Sequence, residues 1–386
     1  MDRRLLTLAA GMFAIGTDTF VIAGILAPAA RSLDVSIETA GQLVTAYALA
    51  YALMSPVLAA LTATWPRKKV LMAGLVIFTI GNIGVAALPS FAGVLASRVI
   101  AGIGAALFAP AASATAAAIV PADQRGRALA VVMAGLSAAT ALGAPIGVAI
   151  GAAADWRDTM WFVTAIGVIA GLAVAWRLDG IPAPPPVGLR QRLVPAADRR
   201  VALTLLTTFL LFAGLYAVYT YIGLVLARAT GGDGTILAIL LAVWGVASVI
   251  GNLGVGRLTD RWGNRRMIVI AAIAVALDFA LMPWSSASLP LAAAAMIVWG
   301  IGGWGLGVPL QHRLFAIAPA SAPLLAGLNA TALYLGVSVG GVVGAAGVAT
   351  FGAQGLGPLG AALVLAGLAV AEIAHTVIHR RTAAPA

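Results

Sequence analysis

The sequence predicts an all-α polytopic membrane protein with twelve transmembrane helices arranged in two six-helix halves. Three observations lead to this fold class. The 386-residue chain is 62% hydrophobic and only 9% charged, with a mean hydropathy of +1.03, whereas soluble domains carry about 25% charged residues. It divides into apolar runs of about 20 residues, the length that crosses a bilayer. The two halves of the chain also resemble each other in sequence.

Twelve apolar runs follow one another along the chain. An unpaired backbone polar group in lipid is strongly unfavourable, so each spanning segment must be a helix or a strand of a closed barrel. The runs lack an alternating apolar and polar pattern, which favours helices. The predicted runs are 5–28, 39–62, 69–88, 93–119, 126–151, 159–176, 201–227, 235–256, 267–284, 290–316, 324–350 and 356–377.

An internal repeat divides these runs into two sets of six. Segment 258–266 aligns with 61–69, sharing Leu, Thr and Trp and ending in paired basic residues, and Gly-Ile-Gly at 300–302 aligns with 102–104 at nearly the same offset. Such agreement predicts two homologous halves in the same orientation. We assign residues 1–178 and 200–386 to the halves, and 179–199, rich in proline and then arginine, to a cytoplasmic linker.

The basic residues predict the orientation. Nineteen of the 23 lysines and arginines fall in loops on the amino-terminal side of the membrane, which places both termini in the cytoplasm. We expect the protein in the plasma (inner) membrane. The net charge of +10 is explained by these loops, so no nucleic-acid partner is expected. The absence of cysteine excludes disulfides and thiolate metal sites.

Three ionisable residues fall inside predicted helices. Asp18 lies near the middle of the first, where a charge costs about 2.5–3.5 kcal/mol, so it should face the interior and either pair or bind a proton. The alternative is a structural carboxyl bonded to Thr17 or Thr19. Arg98, in the fourth helix, either faces a cavity or extends to the interface. We interpret Asp278 as structural, or as lying near the interface.

Glycines recur every four residues in two helices that occupy equivalent places in the repeat. They are Gly143, Gly147 and Gly151 in the fifth helix and Gly336, Gly340 and Gly344 in the eleventh. Small residues at this spacing let helices approach closely. Pro145 has no counterpart in the eleventh helix, so only the fifth is predicted to bend.

The charged segment 251–267 carries a resemblance to a known family. Residues 254–266 match a GxLxDRxGxRR-like pattern after the eighth helix, which is similar to the major facilitator superfamily. Further features look like its proton-coupled drug and sugar efflux branch, and the resemblance covers essentially the whole chain. The features that resemble this branch are Gly16-Thr17-Asp18-Thr19-Phe20, Arg98 before Gly102-Ile103-Gly104, Leu142 to Gly147, Trp156-Arg157, and Pro309-Leu310-Gln311.

The resemblance implies a fold, a function and roles for particular residues. It implies alternating-access efflux of small amphipathic compounds, such as chloramphenicol-like antibiotics, or of sugars or nucleosides, by a monomer driven by the proton gradient without a cofactor. Alternatives are a uniporter or symporter for a small metabolite, a channel, or a non-transporting receptor. The implied residues are Asp18 and Arg98 for proton coupling; Gly256, Arg257, Asp260, Arg261, Gly263, Arg265 and Arg266 for a gating loop; and Gly135, Gly143, Pro145 and Gly147 for the fifth-helix motif.

The chain departs from the family pattern in two places. Ala63 and Thr64 stand where the first-half loop of the family has Asp and Arg, which implies a weaker or differently built contact there. Ala144 and Val148 replace glycines that are common in the fifth-helix motif of efflux pumps.

A substrate pocket is expected near the midplane between the halves. Few intramembrane charges favour a neutral, amphipathic or weakly cationic substrate. The candidates are Tyr47, Tyr51, Tyr216, Tyr219, Tyr221, Gln311, Asn329 and Tyr334. Glu372, His375 and His379 at the end of the last helix are interpreted as an interfacial cap and not a metal site. The sequence offers no catalytic nucleophile with a base, so no enzyme is expected.

Overall fold

The computed structural model describes residues 2–178, Ile181 and residues 187–382, and within them every regular element is helical. Ten helices long and apolar enough to cross a membrane precede the last one. They are α1 Arg3–Ser32, α2 Ile37–Leu61, α3 Arg67–Ala87, α4 Phe91–Ala118, α5 Arg125–Ala153, α6 Trp156–Arg177, α7 Arg199–Tyr219, α8 Gly234–Trp262, α9 Asn264–Ser285 and α10 Leu289–Ile317.

The last helical segment, Ala322–Thr382, contains two spans. Its 61 residues would extend about 90 Å as one straight helix, roughly three times the hydrocarbon thickness. Gly352 breaks the segment with φ 69° and ψ −178°, a conformation that glycine adopts without steric cost. We call residues 322–351 α11 and residues 353–382 α12. The prediction of twelve membrane helices is thereby confirmed.

The segments between the spans are short, and one of them differs from the prediction. The eighth run was expected to end at residue 256 and a loop to follow, but α8 continues to Trp262 and α9 begins at Asn264. Only Gly263, with φ 83°, leaves the helical conformation. The loop prediction is therefore wrong: the charged side chains of 257–262 are compatible with a helix that extends beyond the apolar run.

The linker is described only in part. Residues 179, 180 and 182–186 of the predicted linker lie outside the described residues. Within its second part, Leu189–Leu193 forms a short helix and Val194–Ala197 a 3₁₀ turn. Arg192 donates a hydrogen bond to the carbonyl of Ala59 at 3.1 Å, which attaches the linker to the end of α2. Partial burial there lowers the pKa of Arg192 below its usual range.

Helix α5 is irregular where the proline pattern predicted a bend. A π-helical turn covers Ala139–Gly143, and the N–H of Ala144 bonds to the carbonyl of Ala139. Pro145 follows at once and has no N–H to donate, so the regular α-helical ladder cannot continue through this point. Helix α11, which has Ala346 at the equivalent place, runs without a break to residue 351.

The glycines of the repeat bring equivalent helices together in the two halves. A Cβ atom added at Gly143 of α5 would overlap the side chain of Thr17 in α1. In the second half, a Cβ at Gly340 of α11 would lie 2.6 Å from the carbonyl oxygen of Ala213 in α7. The pairs α1 with α5 and α7 with α11 therefore use the same close packing, as expected for two copies of one six-helix unit.

The two halves meet at one end of the bundle. We define the terminal end as the end where α1 begins and α12 finishes, and the far end as the opposite one. Toward the far end, the Thr45 hydroxyl of α2 donates to the carbonyl of Ser338 in α11 at 3.4 Å. A Cβ at Gly245 of α8 would lie 2.6 Å from the carbonyl carbon of Thr140 in α5. These contacts close the far end of the bundle, next to the midplane residues described below.

Candidate functional site

A buried ion pair lies inside the first half. The Arg98 Nη1 atom of α4 donates to Oδ1 of Asp18 in α1 at 2.6 Å, and the two side chains are 1% and 0% exposed. Arg98 Nε also donates to the carbonyl of Leu43 in α2 at 3.2 Å. The alternative in which Arg98 extends to the interface is therefore wrong. The second carboxylate oxygen of Asp18, Oδ2, has no hydrogen-bond partner.

The surroundings of the pair come from four helices of the same half. The Arg98 guanidinium lies 4.3 Å from the ring centroid of Tyr47 in α2, a cation–π contact. The Tyr47 hydroxyl is 3.2 Å from Oγ1 of Thr19, which itself bonds to the carbonyl of Ile15. Asn82 of α3 lies beside the carboxylate. The alternative in which Thr19 or its neighbour Thr17 satisfies Asp18 is not observed, since Thr17 donates to its own helix backbone.

A small cavity of about 20 Å³ lies in the second half, and we call it the aromatic cavity. It is enclosed almost entirely by rings and aliphatic groups, and no charged side chain lines it. The lining residues are Phe212, Leu215, Tyr216, Tyr219, Trp244, Trp299, Gly303 and Trp304, from α7, α8 and α10. Phe20 of α1 packs on these rings from the first half, with its centroid 5.6 Å from Trp304 and 6.1 Å from Trp244.

The rings of the aromatic cavity contact one another in tilted and edge-to-face arrangements. Tyr219 and Trp244 are 4.8 Å apart, and Trp244 and Trp299 are 5.9 Å apart. The Tyr219 hydroxyl donates to the carbonyl of Phe20 at 3.0 Å, which ties α7 to α1. The indole Nε1 of Trp244 is buried and has no hydrogen-bond partner. Such ring pairs each contribute about 0.5–1.5 kcal/mol beyond area burial, so the walls hold their shape.

Helix α1 is shared by the ion pair and the aromatic cavity. Two residues along an α-helix correspond to a rotation of about 200°, so Asp18 and Phe20 point to nearly opposite sides. Asp18 faces Arg98 within the first half, and Phe20 faces the second half. One helix therefore contacts both sites.

The predicted pocket residues occupy different places. Tyr216 and Tyr219 line the aromatic cavity, whereas Tyr47 contacts the ion pair. Tyr51 stacks on Tyr334 across the two halves, with centroids 3.7 Å apart. The others lie away from the cavity: the Tyr221 hydroxyl donates to Gly341 at 3.1 Å, Asn329 Oδ1 accepts from Thr208 at 2.8 Å, and Gln311 is exposed.

Sequence reasoning missed most of the aromatic cavity. Phe20, Phe212, Trp244, Trp299 and Trp304 were not among the predicted pocket residues. Membrane tryptophans concentrate at the interfaces, yet Trp244 and Trp299 lie well inside α8 and α10 and are 4% and 2% exposed. A tryptophan far from the ends of an apolar run is the signal that could have identified them.

The predicted gating segment lies at the terminal end and contacts its own half. Arg265 pairs with Glu372 of α12 at 2.6 Å, although both side chains are partly exposed. Arg313 of α10 donates to the carbonyl of Ala371 at 3.1 Å. Asp260 is exposed. Because the two halves meet at the far end here, a role of Asp260 in holding their terminal ends together remains a prediction for another conformation.

Two further sequence interpretations concern polar groups outside these sites. Glu372, predicted to belong to an interfacial cap, forms the ion pair with Arg265. Across the part of the chain that the structure describes, no group of three His, Cys, Asp or Glu is placed to hold a metal ion. Asp278 is only 9% exposed and its Oδ2 has no partner, so it is a buried group of the second half.

Comparisons with known proteins agree on one family. The sequence profile of the Major Facilitator Superfamily matches residues 8–345. A chloramphenicol resistance protein of Streptomyces lividans is 35% identical over 406 residues, covering 100% of this chain and 99% of that protein. The inner membrane transport protein YdhP of Escherichia coli (strain K12) is 31% identical, covering 89% of this chain and 88% of that protein. The crystal structure of the nucleoside transporter NupG superimposes with a TM-score of 0.78 at 14% identity, covering 95% and 99%.

Proposed function

This chain belongs to the major facilitator superfamily, and we propose that it is a secondary transporter that expels small amphipathic compounds in exchange for protons. The observation that carries the proposal is the Asp18–Arg98 pair, buried in the first half next to the interface between the halves. A buried ionisable group in a membrane protein is costly and marks a functional site by default. The chloramphenicol resistance named for the relative from Streptomyces lividans supports an amphipathic substrate.

Asp18 is the proposed proton acceptor. Its Oδ1 accepts from Arg98, while Oδ2 carries lone pairs without a partner, so a proton can add there without first displacing a hydrogen bond. The neutral carboxyl no longer balances Arg98. A buried charge that loses its partner costs about 3–5 kcal/mol, and converting a 1:99 equilibrium into 99:1 takes about 5.5 kcal/mol. Protonation therefore supplies most of the free energy needed to change the preferred conformation.

The conformational change is a movement of the two halves around the central sites. In the structure the halves are closed at the far end by Thr45–Ser338 and by the α5–α8 contact. We propose that the substrate enters from the terminal end while Asp18 is ionised and leaves when the far end opens. Protonation of Asp18 from the far side then favours the return to the state closed at the far end, and the proton leaves toward the terminal end.

Everted membrane vesicles test the proposal. An imposed proton gradient is followed with a fluorescent pH probe while antibiotics, dyes and sugars are added. We expect at least one amphipathic compound to release protons in vesicles that contain the wild-type chain. Substrate uptake without any proton movement would contradict the proton coupling and indicate a uniporter.

The Asp18→Asn variant locates the coupling group. It should still insert, with reduced stability, and show no substrate-induced proton movement. Asp278→Asn is the matched control, because Asp278 is also a buried intramembrane carboxylate but has no arginine partner in the structure. Full coupling in Asp18→Asn, or equal loss in both variants, would rule out the role assigned to Asp18.

A further inference from the structure

We propose that Tyr334 is the residue through which the second half of the transporter responds to protonation of Asp18. It is a positioning residue, because its hydroxyl joins α11 to the hydroxyl groups beside the buried ion pair and does not itself carry the proton. The inference rests on the proposed function in taking Asp18 as the proton acceptor. It deepens that function, since the ion pair lies within the first half, whereas the conformational change moves both halves.

Tyr334 reaches the first half as one member of a stacked ring pair. Its ring lies on that of Tyr51 in α2, with the centroids 3.7 Å apart and an angle of 21° between the ring planes. Tyr51 is buried, so the surface on which Tyr334 rests is itself held by packing. A tyrosine hydroxyl lies in the plane of its ring, and the stack therefore fixes where the Tyr334 oxygen points.

The Tyr334 hydroxyl lies beside the hydroxyl of Thr19, the residue that follows Asp18 in α1. The Thr19 hydroxyl donates its single proton to the carbonyl of Ile15 at 2.8 Å, so it can only accept hydrogen bonds from other groups. The Tyr47 hydroxyl, at 3.2 Å, is therefore a donor to Thr19. Because a hydroxyl oxygen has two lone pairs, one remains for Tyr334. Two tyrosines, one from each half, thus converge on one acceptor.

Tyr47 connects these hydroxyl groups to the proton site. The Arg98 guanidinium lies 4.3 Å from the centroid of the Tyr47 ring, and its Nη1 is 2.6 Å from Oδ1 of Asp18. When a proton neutralises Asp18, the guanidinium loses its ionic partner and depends more on the face of Tyr47. Tyr47 is then held more firmly on Thr19, next to Tyr334. Protonation thereby favours the state in which the halves are closed at the far end.

Two other hydroxyl contacts join the halves, but both end on the backbone. The Tyr219 hydroxyl donates to the carbonyl of Phe20 at 3.0 Å, and the Thr45 hydroxyl donates to the carbonyl of Ser338 at 3.4 Å. A backbone carbonyl inside a helix is the same acceptor whichever charge state Asp18 has. Of these three contacts, that of Tyr334 alone meets side chains that adjoin the proton site.

The titratable and charged groups that face this set of hydroxyls come from four helices. Asp18 and Arg98 face it from α1 and α4, Tyr47 and Tyr51 from α2, and Tyr216 from α7. Tyrosine and arginine ordinarily titrate at about pH 10 and above. The carboxyl is therefore the group of the set whose charge can change between about pH 5 and about pH 9.

Distances across the far end measure this response without any substrate. Spin labels are attached at Arg31→Cys and Ala287→Cys, one exposed far-end position in each half, in the purified full-length chain in lipid nanodiscs. Pulsed electron paramagnetic resonance then gives the ratio of open to closed molecules at each pH. With no other change, the ratio should fall as the pH is lowered from about 9 to about 5. Adding Asp18→Asn together with Arg98→Gln, which leaves no unpaired charge, should abolish the change.

Tyr334→Phe then isolates the hydroxyl, because it keeps the ring that stacks on Tyr51. The factor by which pH changes the open-to-closed ratio should fall about two- to tenfold, the range that one hydrogen bond provides. Thr45→Val is the matched control, since it removes a hydroxyl contact between the halves that ends on a backbone carbonyl. It should raise the ratio by a similar factor at every pH and leave the response to pH intact.

The proposed function and this inference fail in distinguishable ways. A Tyr334→Phe chain that keeps the full response to pH, or that shifts uniformly as Thr45→Val does, overturns the role of Tyr334 and leaves antiport in place. A response that survives the removal of Asp18 overturns the assignment of the proton to Asp18, and the inference with it. A chain with no change but the labels that does not respond to pH contradicts proton-driven movement itself and overturns both.

Discussion

Asp18 and Arg98 illustrate how two unfavourable groups become compatible with a membrane interior. Each would be costly alone, yet together they make a hydrogen bond of 2.6 Å, and the guanidinium gains the Leu43 carbonyl and the face of Tyr47. A desolvated cation–π contact contributes about 2 kcal/mol. The guanidinium therefore keeps two partners when the carboxylate is neutralised, which makes a protonated intermediate accessible.

This arrangement predicts that the Asp18→Asn variant is less stable than the double variant that combines Asp18→Asn with Arg98→Gln. Asp18→Asn leaves Arg98 buried without a counter-charge and should destabilise the protein by about 3–5 kcal/mol. Combining it with Arg98→Gln removes the unpaired charge and should restore most of the apparent melting temperature. The measurement is thermal unfolding of purified protein in detergent.

Comparing the Asp18→Asn variant with the double variant also separates the stability of the protein from its proton coupling. Because the double variant still lacks the carboxylate, it should remain uncoupled even where it is stable. A double variant that melts below Asp18→Asn would show that Arg98 does not depend on Asp18 for its burial.

At the scale of helices, glycine contacts decide how closely α5 and α8 approach. Gly245 packs on the backbone of Thr140, next to the π-helical turn of α5. A backbone neighbour cannot rotate away as a side chain can, so a larger residue must separate the helices. This contact belongs to the surface on which the two halves close at the far end.

Gly245→Ala is therefore expected to favour opening of the far end. The chain contains no cysteine, so spin labels can be attached at Arg31→Cys and Ala287→Cys, exposed positions at the far end of the two halves. Pulsed electron paramagnetic resonance should show a larger share of long distances in Gly245→Ala.

The control is Gly254→Ala in the same helix, where an added Cβ meets nothing within 4 Å. It should leave the distance distribution unchanged. Identical distributions in both variants would mean that the α5–α8 contact does not hold the far end closed.

At the scale of the whole molecule, the positions of the basic residues predict that the terminal end faces the cytoplasm. Single cysteines can again be introduced without background. In intact cells, a membrane-impermeant maleimide should label Arg31→Cys at the far end and should not label Arg125→Cys at the terminal end. Labelling of Arg125→Cys alone would show that the protein has the opposite orientation to the predicted one.

The number of helices and the repeat were predictable because they follow from a general constraint. A backbone in lipid must satisfy its own hydrogen bonds, so apolar length translates directly into spanning helices. The exact ends were less predictable: α8 extends beyond its apolar run to Trp262, since charged residues outside the hydrocarbon can remain helical.

The sites were predictable only as single residues. Asp18 and Arg98 each stood out as charges in apolar runs, but their pairing depends on the rotation of α1 and α4 about their axes, which the sequence alone does not specify. Trp244 and Trp299 were missed for a related reason. Whether an aromatic side chain anchors to the interface or borders a cavity depends on which neighbouring helix it faces.

The division of α1 into two faces has an evolutionary consequence. The groups around Asp18 belong to the first half, whereas the rings that line the aromatic cavity belong to the second. Under the proposed function, changes in the aromatic cavity and changes at the Asp18 site can therefore arise independently. Under selection for transport of a new compound, accepted substitutions should accumulate in α7, α8 and α10, while the proposed proton site is inherited unchanged.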